Sequence, residues 1–404
     1  MLTRLYATNY RCLVNFEFKP NSKQLIIGRN GTGKSTVFDV LAMLRDVAAR
    51  GEPCENHLGG KTRTRWQDVT EQRFELDIRG NGGEYRYSLV VESQEEVSYG
   101  RGSDSLLGSS VSRPNKSRWI ESAVLGRVRN PFGPHVKQEV LEFNGGPLFR
   151  LQDGTIGLFN DQQKPKPSVE IPFEGLSSGL ATVQIGRKDN TKLTWFELWL
   201  NRIVQVQIDP WAMSARSERE ARFPHRDLSN FADWYRHLRL ETGDAIFEAI
   251  KDLREAIPGF EALDAKEAGL DVRVLQATFA SPSGGKIELP FHELSEGQRA
   301  LIALYVLLHC AVGEDRLLLI DEPDNFIALA EIQPWLLKLL DRLDETNGQV
   351  MLVSHHPELL NQLAGEGGVV LDRPGGGETR VRPFSPGDTG LTPSEFVSRG
   401  WENA

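Results

Sequence analysis

The chain has 404 residues, 39% of them hydrophobic, a formal net charge of −9 and three cysteines. This length holds one large domain or two ordinary ones, each with a real core. No run approaches the roughly 18 apolar residues of a membrane span and no secretory leader follows Met1, so a cytoplasmic protein with no membrane segment is expected. Cys12, Cys54 and Cys310 are scattered with no C-x-x-C pair, so neither a disulfide framework nor a zinc site is indicated; Cys310, inside an apolar run, reads as core. The acidic balance excludes a chain coated in basic residues but leaves room for a local basic groove.

Residues 2–27 read as two or three short strands, among them VNFEF at 14–18 and QLII at 24–27, which ends at Gly28. GRNGTGKST follows at 28–36, and Val37, Val40, Leu41, Leu44 and Val47 then repeat at helical spacing. In this strand, glycine loop and helix, Gly28, Gly31 and Gly33 let backbone N–H groups wrap phosphate oxygens at a helix N-terminus. Asn30, Thr32 and Thr36 belong to the same loop; Lys34 is expected on the β and γ phosphates and Ser35 on Mg²⁺.

FELDI and YRYSLVV around NGG at 81–83 read as a hairpin. Residues 93–118 and DQQKPKP at 161–167 read as exposed or mobile insertions. Two basic groups, Lys61, Arg63 and Arg65, and Arg216, Arg219, Arg222 and Arg226, are candidate phosphate contacts to nucleic acid; the plainer reading is a solvated face. Phe231, Trp234, Tyr235 and Leu238, then Phe247, Ile250, Leu253 and Ile257, predict two helices with core-facing stripes, ending before Pro258. Residues 270–280 and 286–290 predict a second hairpin through SPSGG. The last third alternates helix and strand, an α/β rhythm, and no sustained heptads announce a coiled-coil arm.

Three motifs lie in that last third. LSEGQRA at 294–300 makes Ser295 a helix N-cap with Gln298 completing a capping box, and Ala300, Leu301, Leu304 and Leu308 form its buried face. Ser295, the Gly297 backbone and the helix N-terminus are suited to a γ-phosphate held by a second copy. LLLIDEP at 317–323 is a buried strand running into Asp321, suited to hold Mg²⁺ through water, and Glu322, suited to orient and deprotonate an attacking water. SHHP at 354–357 puts His355 level with that strand end as a γ-phosphate sensor linked to Glu322, while His356 reads as a helix-capping neighbour.

Together these residues resemble the ABC-type ATPase heads of the RecF/SMC superfamily, AAA family ATPases, across residues 1–50 and 226–372. NYRCLVNFEF resembles the superfamily's opening, which implies that Arg11 approaches the nucleotide phosphates. The resemblance implies an α/β P-loop NTPase with ABC-ATPase head architecture, two lobes and a mixed or parallel sheet. Residues 1–50 and 290–404 would form the nucleotide core and 51–289 an inserted middle segment. It implies ATP and Mg²⁺ as cofactors and an ATP-dependent homodimer with Ser295, Gly297 and Gln298 acting in trans. RDLSNFADWYRHL, IPGF and GLTPSEFVSRGW are similar to compact stand-alone antiphage ATPases related to the ATPase half of OLD-family nucleases.

The chain departs from the wider pattern in lacking a C-x-x-C hook and an acid-rich nuclease domain after residue 372, so a nuclease would come from another chain. Glu296 stands second in the LSGGQ-like motif, and DNFIALAEI lacks the His or Asp expected before the proline. Gln67, Gln138 and Gln207 are all candidates for the Q-loop glutamine. The expected function is ATP hydrolysis by a head-to-tail dimer that senses or regulates a separately encoded effector, such as a nuclease, in bacterial antiviral defence. The alternatives are a RecF-like DNA-binding repair ATPase and a nucleotide sensor with negligible turnover.

Overall fold

A computed structural model describes residues 1–93, 133–183, 188–387 and 390–400. In chain order, the first third gives β1 (Leu2–Thr8), β2 (Phe16–Phe18), β3 (Lys23–Ile27), α1 (Lys34–Ala48), β4 (Glu71–Gly80) and β5 (Gly83–Glu92). The middle gives β6 (His135–Phe143), β7 (Gly146–Gln152), β8 (Thr155–Leu158), β9 (Val169–Pro172), α2 (Thr191–Asn201), β10 (Ile203–Val206) and β11 (Arg216–Ser217). Next come α3 (Phe231–Glu241), α4 (Gly243–Ala256), β12 (Phe260–Glu267), β13 (Arg273–Ala280) and β14 (Lys286–Pro290). The last third gives α5 (Glu296–Ala311), β15 (Leu317–Asp321), α6 (Leu329–Thr346), β16 (Gln349–Val353), α7 (Pro357–Gly367), β17 (Gly368–Asp372), β18 (Arg380–Pro383) and α8 (Pro393–Ser398).

Among the described residues these strands form three sheets. An eight-stranded antiparallel sheet runs β2-β1-β4-β5-β6-β7-β8-β9, and a six-stranded sheet runs β10-β15-β16-β3-β17-β18 with only the last pair antiparallel. A smaller antiparallel sheet groups β11, β12 and β14 around β13. The α/β expectation holds.

The central parallel strands of the six-stranded sheet, β15, β16 and β3, are buried on both faces, as parallel strands require, whereas the antiparallel edge strand β18 is not. Along β15, Leu317 and Leu319 face the core shared with α1 and the antiparallel sheet, whereas Leu318 and Ile320 face the core built on α5, α6 and α7. Buried Gln349 ties the sheets together: its side chain accepts from Leu2 N–H at 2.8 Å and donates to Leu2 C=O at 2.9 Å.

Several details differ from the sequence expectations. β10, from the expected middle segment, is the edge strand of the parallel sheet, and β1 and β2, from the expected core segment, belong to the antiparallel sheet. The sheets therefore cut across the divisions at residues 50 and 290, because strand pairing follows register rather than chain order. Phe247 is 63% exposed rather than core-facing; Ile246 and Ala249 take the buried positions of α4. β12 pairs with β13 beside the expected hairpin and was not foreseen. Most of the 93–118 insertion lies outside the described residues. The 161–167 loop is partly anchored, with the Asp161 carboxylate capping α2 through Thr191 N–H at 2.8 Å and Gln163 Nε2 donating to the Phe143 carbonyl at 2.6 Å. All three cysteines are buried and unpaired by disulfides. No helix among the described residues is long and apolar enough to cross a membrane.

Candidate active site

β10, β15, β16 and β3 run parallel, so their carboxyl ends share one edge, where open α/β sheets place ligands. The glycine loop leaves β3 on this edge and turns into α1 at Gly33, whose φ of 100° suits glycine. A Cβ there would also stand 2.8 Å from Thr379 Oγ1 and 2.9 Å from Cys12 Sγ. The first turn of α1 thus presents its unpaired N–H groups to a cleft of about 560 Å³ lined by Asn30, Gly31, Gly33, Lys34, Ser35 and Thr36. Thr32 does not line it: its hydroxyl donates to the Arg29 carbonyl at 2.9 Å.

Lys34 is buried, with its ammonium donating to the Gly28 and Arg29 carbonyls. Burial lowers its pKa, against the raising pull of Asp321 and Glu322. Ser35 Oγ donates to Asp321 Oδ2 at 2.6 Å. Burial raises the Asp321 pKa, opposed by this hydrogen bond and by the charges of Arg226 and Lys34. A hydroxyl and a carboxylate held together at the end of a phosphate loop form the oxygen donor set that suits Mg²⁺.

Glu322 follows at φ 54°, a conformation sparsely populated by non-glycine residues, fixed by its N–H donating to Val353 C=O at 2.8 Å. Asn325 Nδ2 donates to Glu322 Oε2 at 2.8 Å, and Ser354 Oγ donates to Asp324 Oδ1 at 2.6 Å. The turn after β15 is thereby tied to the end of β16, which carries His355. Burial lowers the His355 pKa and nearby Lys34 lowers it further, against the raising pull of Glu322 and Asp324. His356 is the expected cap: its Nδ1 accepts from Glu358 N–H at the start of α7.

The three candidate glutamines lie in different places. Gln207 leaves β10, beside β15, and lines the cleft; Gln138 lies in β6 of the other sheet, and Gln67 does not line the phosphate-loop cleft. Arg11 lines the cleft and pairs with Asp39 of α1. Arg226 separates from its expected basic group: it pairs with Asp39 at 2.9 Å, donates to Gln207 Oε1 at 3.4 Å and stands 3.7 Å from Asp321 Oδ2. Arg216 pairs with Glu218 at 2.9 Å, while Arg219 and Arg222 are exposed. Lys61, Arg63 and Arg65 line the same cleft as the phosphate loop. Sequence reasoning missed Asp39, Trp66 and Arg373 as site residues; none sits in a motif, and no local spacing marks them.

Ser295, Gly297 and Gln298 do not line this cleft. The capping box forms as expected, with Ser295 Oγ accepting from Gln298 N–H at 3.2 Å and Gln298 Oε1 accepting from Ser295 N–H at 3.1 Å. Gly297 packs against the turn after β15, where a Cβ would meet the Phe326 carbonyl at 2.9 Å.

A family model described as "AAA domain, putative AbiEii toxin, Type IV TA system" matches residues 25–361. The chain belongs to this AAA-domain family. The match spans the glycine loop, the Gln207 strand, the capping box, the Asp-Glu strand and His355, so the phosphate loop and the two acids on the cleft belong to an AAA-family domain. This AAA-family protein is also similar in structure to an SMC head bound to the C-terminal winged-helix domain of ScpA. That match has a TM-score of 0.50 at 12% identity, covering 95% of this chain and 98% of that one, and shows a shared fold. A second match is the SMC head domain from Thermotoga maritima, at TM-score 0.44 and 12% identity over 95% of this chain and 99% of that one. ABC transporter F family member 4 of Arabidopsis thaliana is 33% identical over 109 residues, 27% of this chain and 14% of that protein.

Proposed function

We propose that this protein hydrolyses ATP with Mg²⁺ as a head-to-tail homodimer, and that this cycle controls a separately encoded effector, such as a nuclease, in bacterial antiviral defence. The observation that carries the enzymatic part is the meeting of Lys34, Ser35, Gln207, Asp321 and Glu322 on one cleft. Lys34 and the N-terminus of α1 hold the phosphates, and Ser35 directly and Asp321 through water would hold Mg²⁺, which would supply positive charge against the transferring phosphoryl group. Glu322 orients the attacking water and accepts its proton as the water oxygen bonds to the γ-phosphorus and the ADP oxygen leaves. His355, within electrostatic reach of Glu322 and Lys34, is suited to sense the terminal phosphate.

The dimer is proposed from the placement of the α5 N-terminus. Ser295 and Gly297 open a helix whose N-terminus is a ready anion site, yet they lie outside the cleft of their own chain. A second copy brings its α5 N-terminus to the γ-phosphate. The defence role rests on the AbiEii-type family description and on the sequence resemblance to antiphage ATPases. The DNA-repair reading ranks second, because Lys61, Arg63 and Arg65 line the phosphate cleft and Arg226 is engaged by Asp39.

Complementation tests the arrangement. Lys34→Ala and Ser295→Arg are each expected to abolish phosphate release, and mixing the two to restore it, because one of the two sites in a mixed dimer then has an intact phosphate loop and an intact partner α5. A mixture as inactive as its parents would refute the head-to-tail dimer.

A further inference from the structure

The cleft has a second wall that phosphate chemistry does not use. In the parallel sheet, β15 with Asp321 and Glu322 lies two strands to one side of β3, and β17, which leads into Arg373, lies directly on the other side. The glycine loop leaves β3 between them. A triphosphate whose terminal end faces Asp321 therefore directs the rest of the molecule toward Arg373 and the loop carrying Lys61 to Trp66, all of which line the same cleft.

Trp66 is the only aromatic residue lining that cleft among the described residues, and it is 48% exposed. Trp211 is more exposed, so exposure alone does not distinguish Trp66; its place on the phosphate cleft does, where a flat apolar ring would gain by being covered by a ligand. Its loop is not loose. Thr64 N–H donates to Asn9 Oδ1 at 3.0 Å, Asn9 Nδ2 donates to the Val69 carbonyl at 2.7 Å, and Gly59 N–H donates to Gln72 Oε1 at 3.1 Å. Asn9 and Gln72 are buried, so the loop is pinned from beneath while the indole faces the cleft. The Arg373 guanidinium lies 5.3 Å from the indole centroid and reaches the Gly31 carbonyl at 3.4 Å, coupling the ring to the phosphate loop.

We propose that Trp66, steadied by Arg373, is the stacking surface for the nucleobase of the bound nucleoside triphosphate. This rests on reading the cleft as a nucleotide site and adds the base-binding half of it. Stacking is tolerant of base identity because every base has a π-face, so the site takes purine triphosphates by area and contact rather than by a hydrogen-bond code.

The test is titration calorimetry of the full-length protein with ATP and with inorganic tripolyphosphate, each with Mg²⁺. In the unaltered protein ATP is expected to bind at least about tenfold more tightly than tripolyphosphate, the scale of one base stacked on an aromatic ring. Trp66→Ala is expected to weaken ATP by about tenfold and leave tripolyphosphate within about twofold, and Trp66→Phe to restore most of the ATP affinity. Tripolyphosphate binding also reports that the variant is folded; if the alanine variant fails that check, Trp66→Leu takes its place. An unchanged ATP-to-tripolyphosphate ratio in Trp66→Ala or Trp66→Leu overturns the base site while the phosphate site stands. Failure of the unaltered protein to bind either ligand overturns the nucleotide reading itself.

Discussion

Ser35 and Asp321 are 286 residues apart in the chain, and the Ser35 hydroxyl donates to the Asp321 carboxylate at 2.6 Å. One sits at the start of α1 and the other at the end of β15, and β16 separates their strands in the sheet. The pair shows that the cleft is assembled from both ends of the chain by parallel strand pairing. If these two oxygens hold the metal, Asp321→Asn abolishes Mg²⁺-dependent phosphate release while nucleotide binding in EDTA persists. Equal turnover by this variant would remove Asp321 from the metal site.

Glu322→Gln keeps the shape of the turn and removes the proton acceptor. It is expected to slow ATP hydrolysis by about 10²- to 10⁴-fold without loss of ATP binding. The same variant recovered in ATP and Mg²⁺ from cells carrying its native gene neighbourhood should retain a stoichiometric neighbour-encoded protein after nuclease treatment. Recovery of DNA alone would put the repair reading first.

Arg226 bridges Asp39 and Gln207 and faces Asp321. Arg226→Ala is expected to lower kcat about tenfold, in line with the loss of charge-assisted hydrogen bonds, with KM for ATP changed less. Arg226→Lys keeps the charge but not the forked geometry and should recover only part of the rate. A variant with normal kcat that has lost DNA binding would return Arg226 to the nucleic-acid surface assigned to it by sequence.

Glu197 of α2 is buried, and neither carboxylate oxygen accepts a hydrogen bond among the described residues. Burial, with Glu139 adding to it, pushes its pKa up to about 8. Unfolded, it would lose its proton near 4.5, so the folded chain holds an extra proton between that pH and about 8. Stability then falls as pH rises through this window, by up to about 1.4 kcal/mol per pH unit. Glu197→Gln lacks this slope and should match the parent near pH 5 and exceed it at pH 8 in urea unfolding. A constant difference at the two pH values would show that Glu197 holds no extra proton.

Much of the site was legible because its chemistry is local. Positive-φ glycines, a lysine and serine at fixed spacing, and a buried apolar run ending in two acids carry their meaning within a few residues. Ser295 and Gln298 likewise close a hydrogen-bonded box within one turn, and His356 caps the helix that Pro357 begins. Helix faces were less secure: Phe247 fits the apolar stripe of α4 yet faces solvent, because which positions are covered depends on α5 and β12 packed alongside.

The sequence by itself therefore determined the α/β class, the phosphate loop, the Asp-Glu strand and the capped α5, since each follows from backbone conformation, hydrophobic period or capping within a short segment. Only the tertiary structure decided which glutamine enters the cleft, why Arg226 leaves its basic neighbours, and why Lys61, Arg63, Arg65 and Trp66 border the phosphate loop. Gln207 is placed by β10 pairing with β15, and the Lys61–Trp66 loop by Asn9 and Gln72 beneath it. Such pairings join residues tens to hundreds of positions apart, and their energy comes from register and burial in the whole fold, which no local spacing records.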